Sequence, residues 1–192
     1  MKNYDYKIDF IIPWVNSSDP NWIESFNKYS QNKSEKIDLS EIRYRDNGLL
    51  KYWFRGVENF TPWVNKIHFI TNGQKPEWLN INHEKLHLVK HSDYIPNELL
   101  PVFSSHPIEL FMHKIEGLSE HFVYFNDDFF LTNHVKPNYF FKKGLPCDSA
   151  IVDIKTGFNL PMTGIVLNNL EQINANFSMK KVMQKNFFKW IN

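Results

Sequence analysis

Cysteine is nearly absent from this sequence of 192 residues, in which Cys147 is the only one. A single thiol excludes an internal disulfide framework and a zinc site made of cysteine pairs, and it fits a reducing compartment. An excess of charge is absent as well, because 22 lysines and arginines face 21 aspartates and glutamates. This balance excludes a chain-wide field of the kind that draws a protein to nucleic acid.

Long apolar runs are missing too. No stretch approaches the ~20 apolar residues that a membrane-spanning helix requires. Charged side chains within residues 1–9 stand where a signal peptide would have its apolar run, so we expect no export and predict a cytoplasmic location. There is also no glycine-rich fingerprint of the dinucleotide or P-loop type, so the sequence supports neither of those two nucleotide sites.

What the sequence does contain is aromatic residues and an alternation of predicted strands and helices. The 17 Phe, 8 Tyr and 6 Trp can fill the core of one domain, which we take to span residues 1–192. Short apolar runs predict strands over residues 8–14, 66–71, 86–89, 122–125 and 150–152. Spacing and capping residues predict a helix that begins at Pro20 and others over residues 47–60, 107–115, 166–177 and 179–190. We therefore expect an α/β fold with an open, mostly parallel sheet.

The strongest chemical signal is Asn126, Asp127 and Asp128 directly after the predicted strand that ends at Phe125. Ligands of open α/β sheets bind outside the carboxyl ends of the strands. Two carboxylates there suit a hard divalent cation such as Mg²⁺, which could bridge and neutralise a diphosphate. A turn in which an aspartate caps the next segment accounts for the motif equally well.

Residues Asn16 to Asp19 follow the first predicted strand in the same way. Backbone amides and the start of a helix favour anions at such a turn. Asp19 is also a good N-cap and Pro20 fits the first helical position, so helix capping alone is the simpler explanation.

Arg43 and Arg45 flank Tyr44 just before the helix predicted from Asn47. A guanidinium group can bind phosphate oxygens through two parallel hydrogen bonds. The alternative is a solvated ion pair between one arginine and Asp46, and the sequence does not choose between the two.

Glu109 and His113 are four residues apart on a predicted helix and so share one edge of it. The glutamate could fix the tautomer of an imidazole that acts as a general base, although such pairs more often lie on a surface without a catalytic role. His68, His87 and His91 have no ligand-like spacing, and we assign them structural roles.

Several motifs occur in a fixed order between residues 8 and 141. They are IDFIIPWVNSSDP at residues 8–20, RYRDNG at 43–48, PWV at 62–64, TNGQ at 71–74, GLSEH at 117–121 and NDDFFL at 126–131. In this order they resemble the Stealth family of bacterial capsule and exopolysaccharide phosphotransferases. Residues 8–20 correspond to its first conserved region and residues 41–141 to its second.

The resemblance implies transfer of a sugar 1-phosphate from a nucleotide sugar to a hydroxyl group of a polysaccharide acceptor, with release of a nucleoside monophosphate. It implies a UDP-linked hexose or N-acetylhexosamine as donor and Mg²⁺ or Mn²⁺ as cofactor. The implied fold binds nucleotide sugars and is similar to Rossmann and glycosyltransferase-A folds. No nucleic-acid partner is implied.

The resemblance also assigns roles to individual residues. Asp127 and Asp128 would hold the metal and Arg45 the phosphate, while His113 is a weaker candidate for the base or an acceptor contact. The remaining predicted contacts line the nucleotide pocket or position groups in it, and they are Asn16, Asp19, Asp46, Asn47, Gln74 and Asn126.

Two rivals to phosphotransfer stay open. A conventional metal-dependent glycosyltransferase would attack the anomeric carbon and release a nucleoside diphosphate. A non-catalytic chain would bind a nucleotide sugar or a partner chain, which we consider because the third and fourth conserved regions of the family are not found and the catalytic domain is expected to be incomplete.

The predicted C-terminal helix places Met183, Phe187 and Trp190 on one face. That face needs an apolar partner. It could pack on its own domain, lie peripherally on an anionic membrane with the help of four lysines, or await a missing C-terminal half.

Overall fold

The computed structural model describes residues 6–30, 44, 47–148 and 161–187. The chain divides into two compact units, Met1–Pro146 and Cys147–Asn192. Several predicted features lie outside the described residues: the strand over residues 150–152, both arginines of the 43–48 motif with Asp46, and Trp190.

The first unit is built on a four-stranded sheet in the order β3-β2-β1-β4. Its strands are β1 (Ile8–Pro13), β2 (Ile67–Thr71), β3 (Leu86–Lys90) and β4 (His121–Tyr124). All three pairings are parallel, with Phe10 opposite Ile67 and Ile8 opposite His121 in the register. The predicted α/β fold with a parallel sheet is therefore confirmed.

Both faces of the sheet are covered, which explains the continuous apolar runs in the two central strands. Successive side chains point to opposite faces, so Phe10 joins a core with Trp53 and Phe69, while Ile11 joins a second core with Ile70. Each fully buried side chain of this size contributes roughly 1.5–3 kcal/mol to folding.

Helix α1 (Pro20–Ser30) begins at its predicted residue, and α2 (Leu50–Phe60) begins three residues later than predicted and ends where predicted. The predicted cap of α1 is confirmed, because Asp19 Oδ1 accepts a hydrogen bond of 2.9 Å from the amide of Asn21. Gly56 lets α2 approach the following chain closely, since a Cβ atom at this position would lie 2.9 Å from Leu131 O.

The helix predicted over residues 107–115 is shorter than expected. Short α3 (His91–Tyr94) precedes it, and α4 itself covers Ser105–Phe111 and continues as one 3₁₀ turn at Met112–Lys114. The tighter turn accompanies burial of both Met112 and Ile115, and such turns commonly end α-helices. The predicted left-handed stop is confirmed at Gly117, with φ of 73°.

The first unit closes with α5 (Pro137–Phe140) and an antiparallel hairpin of β5 (Phe141–Lys142) and β6 (Leu145–Pro146). The second unit contains α6 (Pro161–Asn176) and α7 (Met179–Lys185). Of the predicted apolar face of α7, Met183 is half-buried and Phe187 is exposed. Within the described residues, no helix is both long and apolar enough to cross a membrane.

Candidate functional site

A cavity of about 200 Å³ opens at the carboxyl edge of the parallel sheet. Each of the four strands leads to it. Trp14 follows β1, Asn72 follows β2, His91 follows β3, and Tyr124 ends β4. This is the edge at which open α/β sheets bind ligands, beside the point where the chain order of the strands reverses between β1 and β4.

The predicted acidic motif lies at this edge. Asn126 and Asp127 line the cavity, and Asp128 is the next residue on the same exposed loop. The loop is anchored by buried Phe125, whose backbone amide donates a hydrogen bond of 2.9 Å to Ile11 O. Two carboxylates thus lie directly after a paired strand of the sheet and stay open to solvent.

The acidic motif does not form a complete metal cage by itself. Among the described residues, no three or more His, Cys, Asp and Glu side chains group so that they could hold a metal ion. Asp127 and Asp128 could supply only part of a coordination sphere. That pattern is usual for Mg²⁺, which keeps several waters and takes further oxygens from substrate phosphates.

An aromatic wall bounds another side of the cavity. Trp22, Tyr44 and Phe103 line it, and Phe26 stacks behind Trp22 with ring centroids 4.9 Å apart. The Tyr44 hydroxyl donates a hydrogen bond of 3.0 Å to Phe103 O. The wall therefore joins α1 to Tyr44 and Phe103, which are distant from it in the chain, and its flat rings suit a nucleobase or a sugar.

Three predicted contact residues bind one another instead of lining the cavity. The backbone amide of Asn16 donates a hydrogen bond to Gln74 Oε1. Gln74 Nε2 donates to both Asn16 O and Asp19 Oδ2, and all three bonds measure 2.9 Å. The hydrogen bond from Gln74 lowers the pKa of Asp19. This cluster, the Gln74 clamp, ties the loop after β1 to the loop after β2, and both loops border the cavity.

The structure gives Glu109 and His113 separate hydrogen-bond partners. Glu109 Oε1 accepts a hydrogen bond of 3.1 Å from the hydroxyl of Tyr124, and His113 Nδ1 lies 2.9 Å from Leu110 O. The switch to a 3₁₀ turn at Met112 changes the angular spacing on which the pairing rests. Neither His113 nor Asn47 is among the residues that line the cavity, so their predicted roles stay predictions, as does that of Arg45.

His91 is a cavity residue to which sequence reasoning gave only a structural role. It directly follows β3 and lines the cavity. Burial lowers the pKa of its imidazole to about 4. The signal that could have identified it is its place at a strand end, the same feature that drew attention to Asp127.

A second group of polar residues, which the sequence did not indicate as a group, is buried around Asp9 of β1 and His68 of β2. Asp9 is fully buried and accepts four hydrogen bonds of 2.7–3.1 Å, from Asn65, Lys66, His68 and Ser119. Asp9 and His68 do not line the cavity. The structural role assigned to His68 fits this geometry.

Comparison with known proteins identifies the family. Stealth protein conserved region 1 matches residues 6–34, and Stealth protein conserved region 2 matches residues 43–147. The chain belongs to the Stealth family, as its motifs indicated.

The relatives include streptococcal phosphotransferases. The capsular polysaccharide phosphotransferase WcwK of Streptococcus pneumoniae is 47% identical over the whole chain, which spans 57% of that relative. The receptor polysaccharide phosphotransferase WefC of Streptococcus oralis is 44% identical over 95% of this chain and 56% of its own length. The capsular polysaccharide phosphotransferase CpsJ of Streptococcus thermophilus is 43% identical over 96% of this chain and 78% of its own length. The chain therefore spans a little over half the length of the first two.

Proposed function

We propose that this chain acts in the transfer of a hexose 1-phosphate from a UDP-sugar to a hydroxyl group of a polysaccharide, in capsule or exopolysaccharide synthesis. The observation that carries the proposal is the cavity at the carboxyl edge of the sheet, with Asp127 in its lining and Asp128 beside it. The names of the relatives, which are capsular and receptor polysaccharide phosphotransferases, support the reaction class.

The two kinds of lining suggest how a nucleotide sugar would lie. The aromatic wall of Trp22, Tyr44 and Phe103 offers flat apolar surface for the nucleoside. The polar groups at the strand ends, Asn126 and Asp127, face the same cavity. We propose that the diphosphate lies toward this polar end, where the chemistry takes place.

The residues at this end fit Mg²⁺ or Mn²⁺. Carboxylate oxygens are the ligands that these hard cations prefer, and Asp127 and Asp128 would hold the ion together with donor phosphates and water. When bound, such an ion neutralises charge on the diphosphate. Asn126 would donate hydrogen bonds from its amide to phosphate oxygens, and Arg45 is proposed to bind them through its guanidinium fork.

The Gln74 clamp has a positioning role in this proposal. Its hydrogen bonds hold Asn16 and Asp19 in the loop next to Trp14 and Val15, which line the cavity. Transfer of a phosphoryl group depends on alignment and charge stabilisation more than on covalent help from the protein. A fixed loop at the donor site serves that alignment.

The identity of the released nucleotide tests the reaction. The chain is incubated with UDP-N-acetylglucosamine or UDP-glucose, Mg²⁺ and a capsular polysaccharide acceptor, and the nucleotides are separated by chromatography. Release of UMP is expected. Release of UDP would instead establish a conventional glycosyltransferase, and binding of the donor without turnover would establish a chain that binds but does not catalyse.

Where the protein works in the cell also belongs to the proposal. A cytoplasmic location, with α7 and its lysines at the membrane surface, remains a prediction. Fractionation of cells that produce the chain, with and without a high-salt wash of the membranes, would test it, because salt screens attraction to anionic lipid.

A further inference from the structure

His91 occupies a fixed place at the cavity. The amide of Ile95 donates a hydrogen bond of 2.9 Å to His91 O, and the amide of Lys90 donates one of 2.7 Å to Asp93 Oδ2. These bonds close α3 directly after β3. The backbone that carries the imidazole is therefore held at the edge of the sheet farthest from β4.

The imidazole of His91 has no hydrogen-bond partner within the described part of the chain. Other histidines are satisfied by neighbours: His106 by Ser104 Oγ, His113 by Leu110 O and His121 by Gly144 O, each at 2.9 Å. His91 differs from them because it lines the cavity. No described neighbour engages the ring of His91, so it can hydrogen-bond to a molecule that fills that cavity.

The charge state of His91 restricts what it can bind. Burial keeps the ring neutral at physiological pH, since its pKa lies near 4. A neutral imidazole offers one N–H donor and one nitrogen acceptor. It adds no positive charge for a diphosphate, whereas a hydroxyl group can hydrogen-bond to either ring nitrogen, as acceptor from the N–H or as donor to the other nitrogen.

We propose that His91 binds a hydroxyl group of the donor nucleotide sugar, on the ribose or on the hexose. This assignment rests on the proposed function and deepens it. His91 would select and orient the sugar part of the donor, while the acidic loop after β4 handles the phosphates. The two tasks would fall to opposite edges of the sheet.

Titration calorimetry with two ligands tests the assignment. UDP carries the ribose hydroxyls alone, and UDP-N-acetylglucosamine adds those of the hexose. His91→Phe keeps a ring in the cavity wall but removes both polar atoms, and we expect it to raise Kd roughly three- to tenfold, the scale of one lost neutral hydrogen bond. His91→Gln keeps a donor and an acceptor and is expected to retain most of the affinity.

The control is His134→Phe, because His134 is exposed and is not among the cavity-lining residues. It should bind both ligands like the parent. An equal loss for both ligands in His91→Phe places the contact in the shared UDP part, whose sugar hydroxyls are those of the ribose, and a loss for UDP-N-acetylglucosamine alone assigns it to the hexose. Either result supports the proposal.

Three results would overturn the proposal in distinguishable ways. If His91→Phe binds both ligands as tightly as the parent, His91 is only part of the wall. If His91→Gln loses as much affinity as His91→Phe in folded protein, ring shape and not hydrogen bonding is what matters. If the parent itself binds neither ligand, the donor assignment fails and this inference fails with it.

Discussion

The hydroxyl of Tyr124 donates a hydrogen bond of 3.1 Å to Glu109 Oε1 and so joins the last residue of β4 to α4 beside the cavity. Burial and the nearby Glu109 raise the pKa of Tyr124 well above its usual range, so the phenol stays a hydrogen-bond donor. The bond fixes one side of the cavity through residues 15 positions apart in the chain.

Tyr124→Phe removes this bond and leaves the ring in place. We expect the free energy of unfolding to fall by about 1–2 kcal/mol, because Glu109 loses its partner in a half-buried position. Urea denaturation of parent and variant measures the change. Tyr139→Phe is the matched control, since Tyr139 is 71% exposed, and equal losses in the two variants would contradict the structural role of the Tyr124 bond.

Acid should destabilise the protein through Asp9. Burial alone would raise the pKa of Asp9, but hydrogen bonds from His68, Asn65 and Ser119 outweigh burial and lower it from 3.8 to about 2. A carboxyl group whose pKa is lower in the folded state stabilises the fold above its unfolded pKa. That contribution is lost as the pH falls from about 4 to about 2.

The contribution of Asp9 amounts to about 2 kcal/mol of unfolding free energy. Urea denaturation measures the free energy of unfolding of the parent and of Asp9→Asn at several pH values between about 2 and 7. Because the other carboxylates are the same in both proteins, their effect cancels in the difference between the two free energies. The difference should be largest near neutral pH and should shrink below pH 4. A difference that stays constant with pH, or grows in acid, would show that Asp9 is not held ionised.

Local features of this fold could be predicted from the sequence, whereas contacts between distant residues could not. The strands were predictable because β1 and β2 are buried on both faces and so appear as apolar runs. The cap of α1 was predictable because Asp19 and Pro20 are local signals. In contrast, the partners of Asp9 come from residues 65 to 119, and no local pattern indicates that they meet.

The same distinction holds at the candidate site. The place of Asp127 at a strand end followed from one apolar run and the rule for open sheets. That Gln74 binds Asn16, 58 residues away, depends on the packing of two loops. His91 also follows a predicted strand, but whether its side chain lines the cavity depends on the packing of the loops around that edge, which the sequence does not give.

The Gln74 clamp predicts a distinct effect of an isosteric change. Gln74→Glu replaces the Nε2 donor by an oxygen that faces Asn16 O and the carboxylate of Asp19. We expect this repulsion to loosen the loop after β1 and to weaken binding of UDP-N-acetylglucosamine about tenfold, which is ~1.4 kcal/mol. The control is Glu77→Gln, the reverse change at an exposed position in the neighbouring segment. If calorimetry finds full affinity for UDP-N-acetylglucosamine in Gln74→Glu, the positioning role of Gln74 is refuted.

The acidic motif of Asn126, Asp127 and Asp128 predicts that donor binding depends on a metal ion. Asp128→Asn removes one negative charge from an exposed loop, so the fold should persist while the gain in donor affinity from Mg²⁺ is largely lost. Titration of UDP-N-acetylglucosamine with and without Mg²⁺ measures this gain. Glu84→Gln, an exposed charge outside the cavity lining, should keep it, and an unchanged gain in Asp128→Asn would remove Asp128 from the proposed metal site.

The central claim is that the cavity at the carboxyl edge of the sheet holds the nucleotide together with a divalent ion. Anomalous diffraction from crystals of the chain grown with UDP and Mn²⁺ tests it most directly. The account predicts an anomalous peak within coordination distance of an Asp127 carboxylate oxygen, with the nucleoside against Trp22 and Phe103. UDP bound at another surface, or a manganese peak remote from Asp127 and Asp128, would contradict it.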